Sequence, residues 1–338
     1  MSYTMPPEWA PHERCWMAWP CRDSMWTDYA ATCGNYTAVA HAIREYEPVT
    51  MVVPPEKVAA ARNLLGADIE IFDIPIDDSW ARDSGPCFVV GQEGLAGVSF
   101  TFNAWGGKYT PYDQDALMAD RIIERVGAPI ISSSLIAEGG GLNVDGDGTL
   151  LTTDTCFPNA NRNPDWSIAQ INEELMRTLG VEKVIWLPGD PLDQETDGHV
   201  DGIACFTAPG KVIIESTERD DDPRKPFFDS VRAALEQQTD AQGRTLELLT
   251  LPEANDAHIR GDKFCLSYVN FYIANGGIVA PAYNIPDDDL VRERLAEYFP
   301  GREVTLVNID YIAEGGGGIH CITQQQPAIT SSGLTDRP

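Results

Sequence analysis

The sequence predicts an α/β protein folded as a closed ring of five ββαβ-like units. Three observations carry that prediction. Short β-rich runs alternate with amphipathic helices along the whole chain, conspicuous polar residues recur at a period of about 60 residues, and no linker interrupts the pattern.

The strands are read from runs rich in β-branched residues and ended by Pro, Gly or polar side chains. In chain order they are VTMVVP (49–54), IEIFDIPI (69–76), PIISSS (129–134), KVIWLP (183–188), KVIIES (211–216), TLELLTLP (245–252), NGGIVAP (275–281) and EVTLVNI (303–309). Between them, PEKVAAARNLLG, DQDALMADRIIERVG, PDWSIAQINEELMRTLG, RKPFFDSVRAALEQQ and IPDDDLVRERLAEYFPG place apolar residues near the helical period. Several open on acids or Pro and close at Gly, which suits the helix dipole and a left-handed cap.

The repeat is read from Asp83 in WARDSGP, Glu138 in EGGGLNVDG, His199 in ETDGHVDG, Asp262 in IRGDKF and Cys321 in EGGGGIHC, which stand 55, 61, 63 and 59 residues apart. Two of these segments share their opening tetrapeptide. In 338 residues the period makes five units, each long enough for about three strands and one helix. With no Pro/Gly/Ser linker or charge run to divide it, the chain is expected to be a single domain over 1–338.

Composition narrows the function. With 43% hydrophobic and 22% charged residues and no long apolar run, a soluble chain without a membrane span is expected. The opening MSYTMPPEWAPHERCWMAWP lacks the basic and apolar regions of a secretory signal, so the expected location is the cytoplasm. Eight scattered cysteines without a CxxC pair argue for reduced thiols over a disulfide framework or structural zinc. A net charge of -28 repels nucleic acid and anionic membranes and concentrates small cations, although acidity also serves solubility.

A closed ring would gather Asp83, Glu138, His199, Asp201 and Cys321 around one axis. Cys321 is the candidate nucleophile, because a thiol is partly ionised near neutral pH and four glycines, Gly315 to Gly318, precede it. If HVD is extended, His199 and Asp201 point to one face, and the carboxylate raises and orients the imidazole for acid/base work. His320 would then face away from Cys321 and act in support. Arg82 is read as an ion partner of Asp77 or Asp78. Several carboxylates converge with no Lys in the same segments, so the site should take a cation, and a planar guanidinium can be gripped by two carboxylates with bidentate bonds.

WARDSGP, FNAWGGKY, EGGGLNVDG, NANRNP, ETDGHVDG and EGGGGIHCITQQQP, in this order, resemble the agmatine deiminases of the guanidine-modifying pentein superfamily, and more broadly the bacterial type of peptidylarginine deiminase. The likeness runs from about Met5 to Pro327, and FNAWGGK points to the agmatine branch. It implies a five-bladed α/β propeller with pseudo-five-fold symmetry. It also implies hydrolysis of agmatine to N-carbamoylputrescine and ammonia, a step of putrescine biosynthesis, with no metal or cofactor, and a homo-oligomer, by analogy a dimer. By motif position Cys321 would be the nucleophile and His199 the general acid/base, while Asp83 and Asp201 hold the guanidinium. Trp80, Glu138, Glu195, Gly316 and Gly317 would line or support the substrate site. The chain departs from the family pattern at Gly318, where Asn is common, and at Leu142-Asn143, where Ile-His is common.

Three alternatives remain open to the sequence: a peptidylarginine deiminase, a metal-dependent hydrolase ligated by His199, Asp201, His320 and Cys321, and a noncatalytic binder of guanidino compounds. No short ligand spacing such as HExxH supports the second.

Overall fold

A computed structural model describes residues 3–329. Among the described residues the strands form five separate sheets, and the same sequence of elements recurs in each: an antiparallel strand pair, a helix, and a third strand laid parallel to the second. Parallel neighbours need a crossover, and the amphipathic helices supply it. The first sheet pairs Cys87–Gly91 with Gly94–Thr101 and, after helix Met118–Val126, adds Ile130–Ile136. The second uses Asn143–Val144, Thr149–Thr153, helix Ile168–Leu179 and Lys183–Leu187. The third uses Ala204–Ala208, Lys211–Ser216, helix Lys225–Glu236 and Glu247–Pro252, and the fourth Tyr272–Ala274, Gly277–Ala282, helix Asp287–Tyr298 and Glu303–Asn308. In the last sheet the two ends of the chain meet. Thr323–Pro327 pairs antiparallel with His12–Ala18, which continues through helix Tyr29–Arg44 to Val49–Val53 and on to Glu70–Asp73.

The fold is thus mixed α/β. Hydrogen bonding does not join the five sheets into a closed barrel among the described residues, so ladder bonds stop at each sheet's edges. Side-chain packing continues between sheets. One core cluster runs from Met17 and Val49 through Ile213 and Leu251 to Ile278 and Ile322.

All eight strand runs read from the sequence contain strands, and the five periodic segments contain helices trimmed to their caps. Ser167 and Gln170 form a reciprocal capping box at the start of Ile168–Leu179, and Gly180 closes it at φ 67°. The longest helix, Tyr29–Arg44, was not anticipated. Thr32, Cys33, Tyr36, Val39, Ala40 and Ile43 form its buried face at helical spacing, but Thr, Cys and Tyr blur the apolar pattern. Asp28 caps it by accepting from Ala31 N, and Tyr36 Oη bonds Ser79 Oγ at 2.9 Å, tying the helix to the DSWARDS segment.

Thr323–Pro327, TQQQP, is buried along its whole length despite its polarity. Two of its three amides have partners: Gln324 accepts from Arg82 Nη1 at 2.6 Å and donates to Pro86 O at 2.8 Å, and Gln326 accepts from Trp16 Nε1 at 3.0 Å, while the buried Gln325 Oε1 has none among the described residues. Arg82 is therefore turned inward, and the expected pairing with Asp77 or Asp78 does not form. Arg22 takes Asp78 instead, at 2.7 Å.

Leu175, on helix Ile168–Leu179, is buried with Ile171, Leu179 and Leu150. Leu175→Ala is expected to lower unfolding free energy by about 3 kcal/mol in urea titrations, through lost burial and a residual cavity.

Candidate active site

The segments immediately before the first hairpin strands of the five sheets converge on one another. These segments carry Asp83, Glu138 with the glycines after it, His199 with Asp201, Asn270, and His320 with Cys321. Three of them are single helical turns, Ala81–Ser84, Gly139–Gly141 and Val200–Gly202. The HVD segment is consequently not an extended strand: His199 stands at the N-cap of its turn and Asp201 lies within it.

Asp201 faces Cys321, with Oδ2 at 3.4 Å from Sγ. Asp83 and His199 approach from two other sheets. They meet Asp201 around Gly140, where a Cβ would lie 2.5 Å from His199 Nδ1, 2.8 Å from Asp83 Oδ1 and 3.1 Å from Asp201 Oδ2. Any side chain at 140 would fill the space these groups share, so glycine is required by close approach. The Gly140 N–H donates to Asp83 Oδ1 at 2.9 Å, and Trp105 Nε1 donates to Asp83 Oδ2 at 2.9 Å. Gly317 serves the thiol likewise, since a Cβ there would lie 3.1 Å from Cys321 Sγ and 2.5 Å from the Trp80 ring.

The imidazole of His199 lies between two acids, Nε2 at 3.4 Å from Glu138 Oε2 and Nδ1 at 3.7 Å from Asp83 Oδ1. Burial opposes its charge, but Asp83 and the other anionic neighbours outweigh burial and raise its pKa well above the usual value. Glu138 is fully buried behind His199, where it touches the imidazole. Arg162 Nε donates to its other oxygen at 2.8 Å, and Arg162 Nη1 pairs with Asp197 at 2.6 Å. Burial, opposed by His199 and Arg162, still leaves the Glu138 carboxyl below its usual pKa.

Asp201 is not the partner of His199 that the sequence spacing suggested. Its Oδ2 accepts from His320 Nδ1 at 2.9 Å. Burial would raise its pKa, but His320 outweighs burial and lowers it. Asp83 is raised, by burial first and then by the charges of Asp201 and Glu138, with His199 offsetting only part. The Cys321 thiol is driven far above its usual pKa by burial and by the Asp201 and Asp83 charges.

Asn270 was not singled out from the sequence. Its Nδ2 donates to Cys321 Sγ at 3.2 Å and its Oδ1 accepts from Cys321 N at 3.2 Å, which fixes the nucleophile candidate from both sides. The anchor expected from this unit, Asp262, is exposed at the cavity edge instead. An Asn on a short loop carries no sequence signal of its own, and only the position before a first strand marks it.

Two openings lead to Cys321. A cavity of about 530 Å³ is lined by His199, Asp201, Asn270, Gly316, Gly317 and Cys321, among others. A narrower channel is walled by Trp80, Trp105 and Tyr109. Glu195 borders both, with Tyr109 Oη donating to it and Lys263 Nζ at 2.9 Å. The metal ligand set His199, Asp201, His320 and Cys321 does not assemble, because both His320 nitrogens already face protein carboxylates. Glu138, Cys156 and His199 do bring ligand atoms together, but Arg162 supplies the cation that this carboxylate faces.

The chain belongs to the Porphyromonas-type peptidyl-arginine deiminase family, whose family model matches residues 4–327. It is 42% identical over 353 residues to the agmatine deiminase of Stutzerimonas stutzeri, covering 97% of this chain and 96% of that protein. It is 40% identical over 353 residues to the agmatine deiminase of Pseudomonas aeruginosa, with the same coverage. The solved structure of Enterococcus faecalis agmatine deiminase superposes with a TM-score of 0.93 at 36% identity, covering 96% of each chain. The mixed α/β fold is similar to those of pentein-superfamily structures.

Arg162 and Glu138 both have side chains with no exposure. Arg162→Met leaves the carboxylate with only His199 beside it and should cost about 3–5 kcal/mol in urea unfolding; adding Glu138→Gln should recover part of that loss.

Proposed function

We propose that this chain is an agmatine deiminase, hydrolysing the guanidinium of agmatine to N-carbamoylputrescine and ammonia through a covalent intermediate on Cys321. The observation that carries this reading is the meeting of Asp83, Asp201 and His199 around Gly140, with Asp201 Oδ2 at 3.4 Å from the thiol of Cys321. Two carboxylates and a nucleophile at one point suit a flat cation, and the relatives that align over nearly the whole chain are named agmatine deiminases.

On this reading Asp83 and Asp201 bind the guanidinium nitrogens and keep the group charged, because a neutral guanidine carbon is a poor electrophile. The bound cation offsets the negative field that holds Cys321 protonated, so substrate promotes ionisation of its own nucleophile. The thiol proton passes to solvent and the thiolate adds to the guanidinium carbon, the C=N π pair moving onto nitrogen. His199, protonated between Glu138 and Asp83, gives a proton to the departing nitrogen, which leaves as ammonia with the C–N bond pair. A thiouronium remains on sulfur. His199 then takes a proton from water as its oxygen attacks the same carbon, and the C–S bond breaks with its pair on sulfur, which takes up the adduct's hydroxyl proton and leaves the carbamoyl product. Trp80 walls the substrate channel, Glu195 stands at its mouth, and Gly316 and Gly317 let backbone lie close to the ligand. No metal or cofactor takes part.

The same reading makes the five sheets the blades of an α/β propeller about a pseudo-five-fold axis, within one catalytic domain over 1–338. Positions 1, 2 and 330–338 of that range lie outside the described residues. Homo-oligomeric assembly and a cytoplasmic location belong to it too; eight unpaired cysteines suit a reducing compartment, and no helix among the described residues is long and apolar enough to cross a membrane.

Ammonia release should be measured with agmatine, free arginine and an arginyl peptide supplied separately. Agmatine is expected to be the preferred substrate. Cys321→Ser should abolish turnover while retaining agmatine binding, and His199→Ala should cost at least about 10²-fold in kcat. A near-normal rate from the Cys321→Ser protein removes the proposed nucleophile.

A second measurement separates the catalytic reading from passive binding. Chloroacetamidine is cationic and chloroacetamide is its neutral analogue. If a cation between the carboxylates ionises the thiol, the amidine should alkylate Cys321 at least about 10²-fold faster, the ratio expected for an ion-activated nucleophile. Equal rates, identified by mass spectrometry at this residue, would count against it.

A further inference from the structure

The nearest charged group behind Asp201 is an imidazole that the reaction above does not use. His320 lies between two carboxylates from distant parts of the chain. Its Nδ1 is 2.9 Å from Asp201 Oδ2 and its Nε2 is 2.9 Å from Glu8 Oε1. All three side chains are buried. We propose that Glu8 and His320 are positioning residues of the reaction: an imidazolium clamped between the two carboxylates holds Asp201 beside Cys321, in the place where it receives the guanidinium. This rests on the agmatine deiminase reading.

The geometry requires two donors. A neutral imidazole has one N–H, so one of its two contacts would set a lone pair against a carboxylate oxygen, whereas the cation donates at both ends. The charges around the ring come from three elements. Asp201 stands on the turn Val200–Gly202, Glu8 on the segment before His12–Ala18, and Arg82 on the turn Ala81–Ser84. Arg82 Nε donates to His320 O at 3.3 Å, and its Nη1 is 3.7 Å from Glu8 Oε1. His12 and His199 lie farther off, and His199 acts on Asp201 through charge alone.

Arg82 and burial both oppose protonation of His320, and Glu8 and Asp201 together outweigh them. Glu8 is thus what allows two cations to share this interior. Burial would raise its own pKa, but the His320 and Arg82 charges bring it down to about 2. A neutral His320 would leave Asp201 with a single weaker contact and free to turn away from the thiol. Glu8 reaches the site because the strand that follows it, His12–Ala18, pairs with Thr323–Pro327, which follows His320.

The test uses Glu8→Gln, which keeps shape and removes charge, Glu8→Asp, which keeps charge, and His320→Asn, which assigns the resonance. In ¹⁵N-histidine-labelled wild-type protein both ring nitrogens of His320 should carry the imidazolium signature at about pH 8, where an unperturbed histidine is neutral. Glu8→Gln should lose that signature and lower kcat/KM for agmatine by about 10²-fold through misplacement of Asp201. Because the ring now loses its proton more easily, the alkaline limb of the pH profile should move to lower pH. Glu8→Asp should recover part of both effects. A neutral His320 in the wild type overturns the proposal, as does a Glu8→Gln enzyme whose rate and limb are unchanged or whose loss is the same at every pH. Failure of the wild type to release ammonia from agmatine would instead overturn the reaction assignment, and the ring spectrum would still decide the clamp.

Discussion

Buried negative charge is the constraint on which the rest of this molecule depends. Glu8, Asp83, Glu138 and Asp201 are all withdrawn from water. An isolated carboxylate in such a place costs several kcal/mol, and removing the partner of a buried pair costs about 3–5 kcal/mol. Each acid therefore faces a cation or an N–H donor carried by another segment. His199 lies between Asp83 and Glu138, Arg162 closes on Glu138, and His320 lies between Asp201 and Glu8. His199 with Asp83 and Glu138, and His320 with Asp201, join segments that precede strands of different sheets, so charge pairing ties those sheets together where no ladder hydrogen bond among the described residues does.

The balance is deliberately incomplete at one point. Glu138 and Asp201 have compensating donors and titrate below their usual range, while Asp83 titrates above it, held only by Trp105, the Gly140 N–H and a more distant imidazole. The unspent negative field falls on the cavity and on the Cys321 thiol. One electrostatic arrangement thus does two things. In the proposed reaction it attracts a cation, and it opposes ionisation of the thiol until the cation is bound. In the proposed reaction a neutral isostere of the same shape binds without ionising the sulfur, so selectivity for a charged carbon arises from the field as much as from fit.

The third strand of every sheet was legible in the sequence, but of the second strands only Lys211–Ser216 and Gly277–Ala282 were. Strands such as Lys211–Ser216 and Glu303–Asn308 read clearly because β-branched residues fill them and helices of clean period flank them. The first hairpin strands did not. Asn143–Val144 and Tyr272–Ala274 are too short to show alternation, and Thr323–Pro327 buries glutamines whose partners lie far along the chain. At the site, residue types with distinctive chemistry, Cys321, His199, Asp83 and Asp201, were found from motifs and spacing. Their pairing was not, since an assumed extended HVD put Asp201 against His199, while the actual turn hands it to His320. Asn270 and Glu8 act through position alone, and nothing in their neighbours announces it.

The placement of Cys321 finally depends on both ends of the chain. It stands immediately before Thr323–Pro327, a strand whose only hydrogen-bonded neighbour among the described residues is His12–Ala18. Docking that strand closes a loop of nearly the whole chain, yet closure entropy grows only with the logarithm of loop length, so the distance itself is a modest cost. The same docking brings Glu8 under His320, Arg82 onto Gln324 and the backbone of Arg82 onto Cys321 O at 3.1 Å. The nucleophile, the acid beside it and the imidazole behind that acid are therefore assembled in one step. Only a chain whose termini have paired can present the thiol to its carboxylates, which makes the integrity of the last sheet a condition of the chemistry and not only of the fold.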